Sequence, residues 1–222
     1  MTQRIAIYGG TFDPIHNGHL GSIAELQKRL SIDRIHLIPA YMPALRDTPS
    51  ATSRQRLEML QQVAGSLAGA IVDDREIQRQ GTSYTVDSLS ELRNEYDQED
   101  QLFFVLGSDA FERLDEWHQW SRLTDYAHLV VMKRPELSAQ PSTVSRSISQ
   151  DNLELVLEWL EERLVDDPLE LDGPAGKVVQ ITLPQIDISA TDIRNRVRLK
   201  RGIEKLVPKA VSDYVTQHNL YA

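Results

Sequence analysis

His16 and His19 stand three residues apart with Gly18 between them, in the stretch GGTFDPIHNGH that runs from Gly9 to His19. Two imidazoles at that spacing can each donate a hydrogen bond to an oxygen whose negative charge grows during reaction. Gly9 and Gly10 permit a tight turn and let a phosphate approach main-chain N–H groups. Gly18 lacks a Cβ, so a nucleotide can lie against the backbone between the two rings. Asn17 or an earlier residue is expected to cap a following helix, whose N-terminal N–H groups and dipole favour an anion. With six His and eleven Gly among 222 residues, H-x-G-H is expected by chance about 0.008 times in this chain. The ordinary alternative is a pair of capping or surface histidines in a loop. The preceding glycine pair and the strand-to-helix setting weigh against it. The Rossmann G-x-G-x-x-G and Walker G-x-x-x-x-G-K-[ST] patterns are both missing, so neither a standard dinucleotide site nor a P-loop is supported.

The elements that must hold these residues can be read from periodicity. Short, largely apolar runs at 4–8, 34–39, 70–73, 101–106, 128–133 and 178–183 have the continuous character of strands buried on both faces of a parallel sheet. Helical spacing separates them: Leu20, Ile23, Leu26 and Leu30 share a face, as do Leu57, Leu60 and Val63, and Val86, Leu89 and Leu92 behind a Ser83 or Thr85 cap. This alternation predicts an α/β fold, a doubly wound Rossmann-like parallel sheet flanked by helices. A single domain is expected over 1–222. Within it, 136–177 reads as a helical insertion before the last strand, with Leu153, Val156, Leu157, Leu160 and Leu164 on an acidic helix. Ligands in such sheets sit beyond the carboxyl ends of the strands.

Residues at those ends supply the remaining candidates. Ser189 and Thr191 offer hydroxyls or caps where ISATDIR opens a helix, and Arg194 is within reach of a phosphate it could grip bidentately. Arg196, Arg198, Lys200 and Arg201 complete the densest basic run of the chain and read as a solvated face. After the strand ending at Leu106, Gly107 permits close approach and Asp109 could accept ribose hydroxyls or cap a helix. Arg134 follows the next strand, and Trp117 in EWHQW can stack on a flat ring or pack on a helix. His36 and His128 fall in strands and read as structural.

Composition bounds the rest. Apolar residues at 41% and charged residues at 26% describe a globular chain. A net charge of -9 argues against nucleic acid as the main partner, because such binding neutralises phosphates. No apolar run approaches the roughly 20 residues of a membrane helix. The N-terminus enters a strand pattern without a secretory leader. The absence of cysteine excludes thiolate chemistry and suits a cytoplasmic location.

GGTFDPIHNGH resembles the H-x-G-H loop of the nucleotidyltransferase superfamily, specifically of bacterial nicotinate-nucleotide adenylyltransferases, and the likeness extends over nearly the whole chain to ISATDIRNR at 188–196. The resemblance implies transfer of the adenylyl group of ATP to nicotinate mononucleotide, giving deamido-NAD and pyrophosphate. It also implies Mg²⁺ carried on ATP, with no dedicated protein metal ligands, although Asp13 is close enough in sequence to touch a metal-bound water. It further implies catalytic roles for His16, His19 and Arg46. ATP binding would fall to Gly9, Gly10, Thr11, Phe12, Gly18, Gly107, Asp109, Arg134, Ser189, Thr191 and Arg194, and acceptor binding to Thr85 of S-Y-T and to Trp117. One departure stands out: MPALRD keeps Arg46 but has Ala44 and Leu45 where relatives usually show Pro and His. The expected partners are ATP and a pyridine mononucleotide, with neither nucleic acid nor membrane, and the oligomeric state is left open. The rival readings are the same chemistry on nicotinamide mononucleotide or phosphopantetheine, or a non-catalytic nucleotide sensor.

Overall fold

The computed structural model describes residues 2–45, 47–133, 150–184 and 187–222. In chain order, β1 (Arg4–Gly10), α1 (Asn17–Leu30), β2 (Arg34–Pro39), β3 (Met42–Pro43), α2 (Ser53–Ala64), β4 (Ala70–Val72), α3 (Arg75–Arg79) and β5 (Thr82–Ser83) come first. They are followed by α4 (Thr85–Glu95), β6 (Gln101–Gly107), α5 (Ser108–Phe111), α6 (Leu123–Tyr126) and β7 (His128–Lys133). Then come α7 (Gln150–Glu161), β8 (Leu164–Val165), β9 (Val178–Thr182), α8 (Ala190–Arg198) and α9 (Lys209–Gln217). The chain forms two compact units, Met1–Tyr8 with Tyr84–Pro184 and Gly9–Ser83 with Gln185–Ala222.

In the first unit the strands run parallel in the order β1-β6-β7-β9-β8. Ile5, Ala6 and Ile7, Leu102 to Leu106, Leu129 to Val131 and Val178 with Val179 are buried, which is why these strands show no apolar–polar alternation. α4 buries Val86, Leu89 and Leu92 as its spacing predicts, but its cap position is Tyr84, with no side-chain bond, rather than Ser83 or Thr85. The expected insertion is not purely helical among its described residues. α7 stops at Glu161, and Leu164 and Val165 pair in parallel with Val178 and Val179. The apolar pair lies beside β9, whose edge donors and acceptors would otherwise lack a ladder partner. The part of the insertion at 136–149 lies outside the described residues.

In the second unit β2 pairs in parallel with β4, and β3 with β5. The last two are two-residue strands, too short for any periodic pattern to announce. α1 buries Ile23, Leu26 and Leu30 and ends on Ser31 in the left-handed region. α2 opens with a capping box between Thr52 and Gln55. Its buried face carries Arg56, Met59, Leu60 and Val63, a rotation away from the expected Leu57. His36 Nδ1 lies 2.7 Å from Asp73 Oδ2, and Arg75 sits 2.7 Å from the same oxygen. Burial opposes the charge on Asp73, but the hydrogen bonds from His36 and Arg75 outweigh it and hold the carboxyl at about 2.

Candidate functional site

Of Asn17 or an earlier residue expected as the cap of α1, it is the earlier one, His16, and it caps reciprocally with His19. The His19 N–H donates to His16 Nδ1 and the His16 N–H donates to His19 Nδ1, both at 3.3 Å. Cβ atoms on a helix lean toward its N-terminus, so the N3 side chain falls back over the cap. The two rings stack with centroids 3.7 Å apart, and Phe12 meets His19 edge-on at 5.3 Å. A ring nitrogen that accepts carries no proton, so these bonds assign the proton to Nε2 on both imidazoles. Burial pushes His16 down to about 4, its own backbone hydrogen bond only partly opposing this. At neutral pH it is therefore an uncharged donor through Nε2.

Gly18 does more than admit a ligand. A Cβ there would lie 2.9 Å from His16 Nδ1 and 3.5 Å from the carbonyl oxygen of Ile188, so the missing methyl group seats the ring. The same spacing brings the loop against the segment that carries Ser189. Ser189 caps α8 by accepting from the Asp192 N–H at 3.1 Å. Arg194 donates to the Asp13 carbonyl at 2.8 Å and to Thr191 Oγ1 at 3.2 Å. Asp13 is 4% exposed, and its carboxylate accepts from the N–H groups of Ser50 (2.7 Å) and Ala51 (3.0 Å) and from the Tyr221 hydroxyl (2.8 Å). These bonds hold the carboxylate with two main-chain donors and one phenol donor.

Gly10 accepts from the Ala40 N–H at 2.9 Å, and Phe12 sits at φ 51°, a left-handed conformation that non-glycine residues rarely adopt. What fixes this strained turn is Arg56, 1% exposed. It donates to the carbonyls of Thr11 (2.7 Å), Ala40 (2.6 Å), Tyr41 (3.3 Å) and Ala51 (3.3 Å). Sequence reasoning missed Arg56 and Tyr221. The signal for Arg56 was a cation on the apolar face of α2, whereas nothing local marked Tyr221.

In the first unit, a Cβ on Gly107 would lie 2.6 Å from Asp109 Oδ1, so the glycine makes room for that carboxylate. Asp109 falls in the first turn of α5, where Gly107 is the cap. Burial and then the Asp109 charge push the Tyr8 phenol above its usual range. Trp117 ends a short 3₁₀ turn and meets Phe104 edge-on at 6.0 Å. Its neighbour His118 lies 4.4 Å from the Tyr84 ring, next to Thr85 at the start of α4. Tyr84 and His118, each next in sequence to one of the two candidate acceptor residues, thus lie against one another. Arg46 and Arg134 lie outside the described residues. Among the described residues, no group of three or more His, Asp or Glu side chains is placed to hold a metal ion, and no helix is long and apolar enough to cross a membrane.

A model of the cytidylyltransferase-like family matches residues 7–196. Proteins named probable nicotinate-nucleotide adenylyltransferase, from Pseudomonas aeruginosa (strain UCBPP-PA14) and Pseudomonas fluorescens, are 38% and 37% identical to this chain, with 100% of the chain and 98% of each relative covered. The chain belongs to the nicotinate-nucleotide adenylyltransferase family. The nicotinic acid mononucleotide adenylyltransferase of Plasmodium falciparum, solved in complex with NaAD, shares the α/β fold at a TM-score of 0.71 and 18% identity, with 99% of this chain and 97% of that one covered. Within the family the expected H-x-G-H loop is present here as His16, Asn17, Gly18 and His19, and Leu45 in the following loop is 37% exposed.

Proposed function

We propose that this chain transfers the adenylyl group of ATP to nicotinate mononucleotide, giving deamido-NAD and pyrophosphate. The observation that carries the reading is the stacked His16–His19 pair, whose mutual caps leave Nε2–H as the donor on each ring. A phosphate oxygen of the acceptor attacks the α-phosphorus of ATP in line. The new P–O bond forms as the bond to the α,β-bridging oxygen breaks, and pyrophosphate departs with the electron pair. His16 and His19 steady the charge that develops at the α-phosphate and the bridging oxygen, a role that needs positioning rather than a covalent intermediate.

Gly9, Gly10, Thr11, Phe12 and Gly18 form the ATP-binding loop in this reading, with Ser189, Thr191 and Arg194 on the outer phosphates and Arg46 and Arg134 contributing cations. Gly107 and Asp109 take the adenosine side, and Thr85 with Trp117 takes the pyridine mononucleotide. Mg²⁺ enters as part of the substrate, bound to the triphosphate and keeping waters. The whole chain acts as one catalytic domain with 136–177 inserted, and the lack of cysteine supports a cytoplasmic setting. The test is pyrophosphate release from ATP with each acceptor in turn. Release with nicotinate mononucleotide well above that with nicotinamide mononucleotide or phosphopantetheine is expected. No release with any of them would leave a nucleotide sensor.

A further inference from the structure

Asp13 stands three positions before His16 in sequence and meets the candidate phosphate-binding Arg194 through its carbonyl, and the proposed reaction gives its carboxylate no task. Its partners suggest one. Besides the N–H groups of Ser50 and Ala51, the carboxylate faces two side chains from distant parts of the chain, the Tyr221 hydroxyl at 2.8 Å and the Arg194 guanidinium at 3.8 Å. Arg194 bonds more closely to the Asp13 carbonyl and to Thr191, so the carboxylate holds it only at its edge.

Placing the phenol has a conformational cost. Tyr221 sits at φ 66° and Asn219 at φ 51°, both in the left-handed region that costs a non-glycine residue free energy. The ring is nonetheless buried and its oxygen reaches Oδ1. Burial and then the Asp13 charge push the phenol well above its usual range, so it remains a donor at every assay pH.

We propose that the Tyr221 hydroxyl is a positioning group for nucleotide binding: by sharing the charge of Asp13 it keeps the carboxylate from drawing Arg194 in, and so leaves the guanidinium available to a phosphate. This rests on the reading of Arg194 as an ATP ligand. Without the hydroxyl, Oδ1 keeps only the Ala51 N–H, and the Arg194 guanidinium, 3.8 Å from the other carboxylate oxygen, is the side-chain cation placed to take up the unshared charge.

The variant that isolates the effect is Tyr221→Phe, which keeps the ring and removes one oxygen. Calorimetric titration with ATP, done well below the melting midpoint of each variant, should show binding weakened by about tenfold, in keeping with one hydrogen bond to a charged group. KM for ATP should rise in step while kcat stays within about twofold of wild type. Arg194→Ala should weaken ATP binding to a similar degree, and adding Tyr221→Phe to it should change binding by less than about twofold, because the two act through one contact. Wild-type affinity in Tyr221→Phe overturns the proposal, and so do effects of the two substitutions that multiply. A fall in melting temperature with unchanged ATP affinity does the same, since it marks a purely structural contact. A wild-type chain that binds ATP yet forms no deamido-NAD would refute the proposed reaction while leaving this test in force.

Discussion

His16 both caps α1 and offers a donor, and the two tasks can be separated by substitution. In His16→Ala the cap acceptor for the His19 N–H is lost along with Nε2. Loss of an N-cap costs about 1 kcal/mol, a fraction of the roughly 5–15 kcal/mol that holds a domain folded, so the variant should fold with a lowered melting point. Asn is among the best N-cap residues, so His16→Asn should recover most of that stability. It places no N–H where the Nε2 atom stands. The rate should therefore fail to recover. Loss of one preorganised donor to developing charge lowers kcat by about 100-fold or more, close to 3 kcal/mol of barrier. KM for ATP should move far less, because the bond strengthens only as charge builds.

The assay is pyrophosphate release at saturating ATP and nicotinate mononucleotide, with thermal melts on the same preparations. Both variants should be about equally slow although they differ in stability. A His16→Asn enzyme turning over within about fivefold of wild type would refute the reasoning, because His16 would then be only a cap. The pH dependence of stability gives a second check. The folded state holds His16 at about 4 against 6.5 for the free side chain, so between those values the unfolded chain binds the extra proton. Stability from this group is thus complete above about pH 6.5 and is lost as pH falls toward 4. The loss is roughly 3 kcal/mol for the full shift. Denaturant titrations at pH 7.5 and 4.5 should show wild type losing more stability than His16→Asn by an amount of that order.

Three further substitutions bear on the same picture. Gly18→Ala sets a methyl group 2.9 Å from His16 Nδ1, so kcat should fall by at least about tenfold, as misplaced catalytic groups do, with the melting point little changed; wild-type turnover would show that the ring yields freely. Asp73→Asn removes the partner of His36 and Arg75 and should cost about 3 kcal/mol in denaturant titrations at neutral pH. Because the folded carboxyl is held at about 2 against 3.8 for the free group, its stabilisation is present above pH 3.8 and the gap to the variant should narrow as pH falls toward 2. Trp117→Ala should raise KM for nicotinate mononucleotide by about tenfold through loss of ring stacking while leaving KM for ATP unchanged; the converse would move Trp117 off the acceptor.

Most of the fold was legible because burial leaves a local mark. The runs from Arg4, Arg34, Gln101, His128 and Val178 read as strands since both faces are covered, and each became one within a residue or two of its expected span. Strands of two residues leave no such mark. β3, β5 and β8 exist because a neighbouring edge offers a ladder, and Leu164 reads as the last apolar position of a helix until β9 is placed beside it. The face of α2 was misjudged for a related reason. Arg56 falls among the apolar positions of α2, but a cation there reads as solvated until four carbonyl oxygens converge on its guanidinium and make burial tolerable.

The candidate site divides along the same line. His16, Gly18 and His19 could be found from spacing alone, since three residues at the start of one helix must meet; what spacing could not give was the reciprocal cap that sets both tautomers. Ser189 and Arg194 were legible as a cap and a cation, yet their partners were not. Asp13 binds Tyr221 across 208 positions and Arg194 across 181. Contacts at such separations carry no periodicity, and a tyrosine two positions beyond an asparagine in the left-handed region looks like a frayed end. The residues proposed to meet a substrate are announced by their chemistry. Those that hold them in place are announced only by the bonds they make.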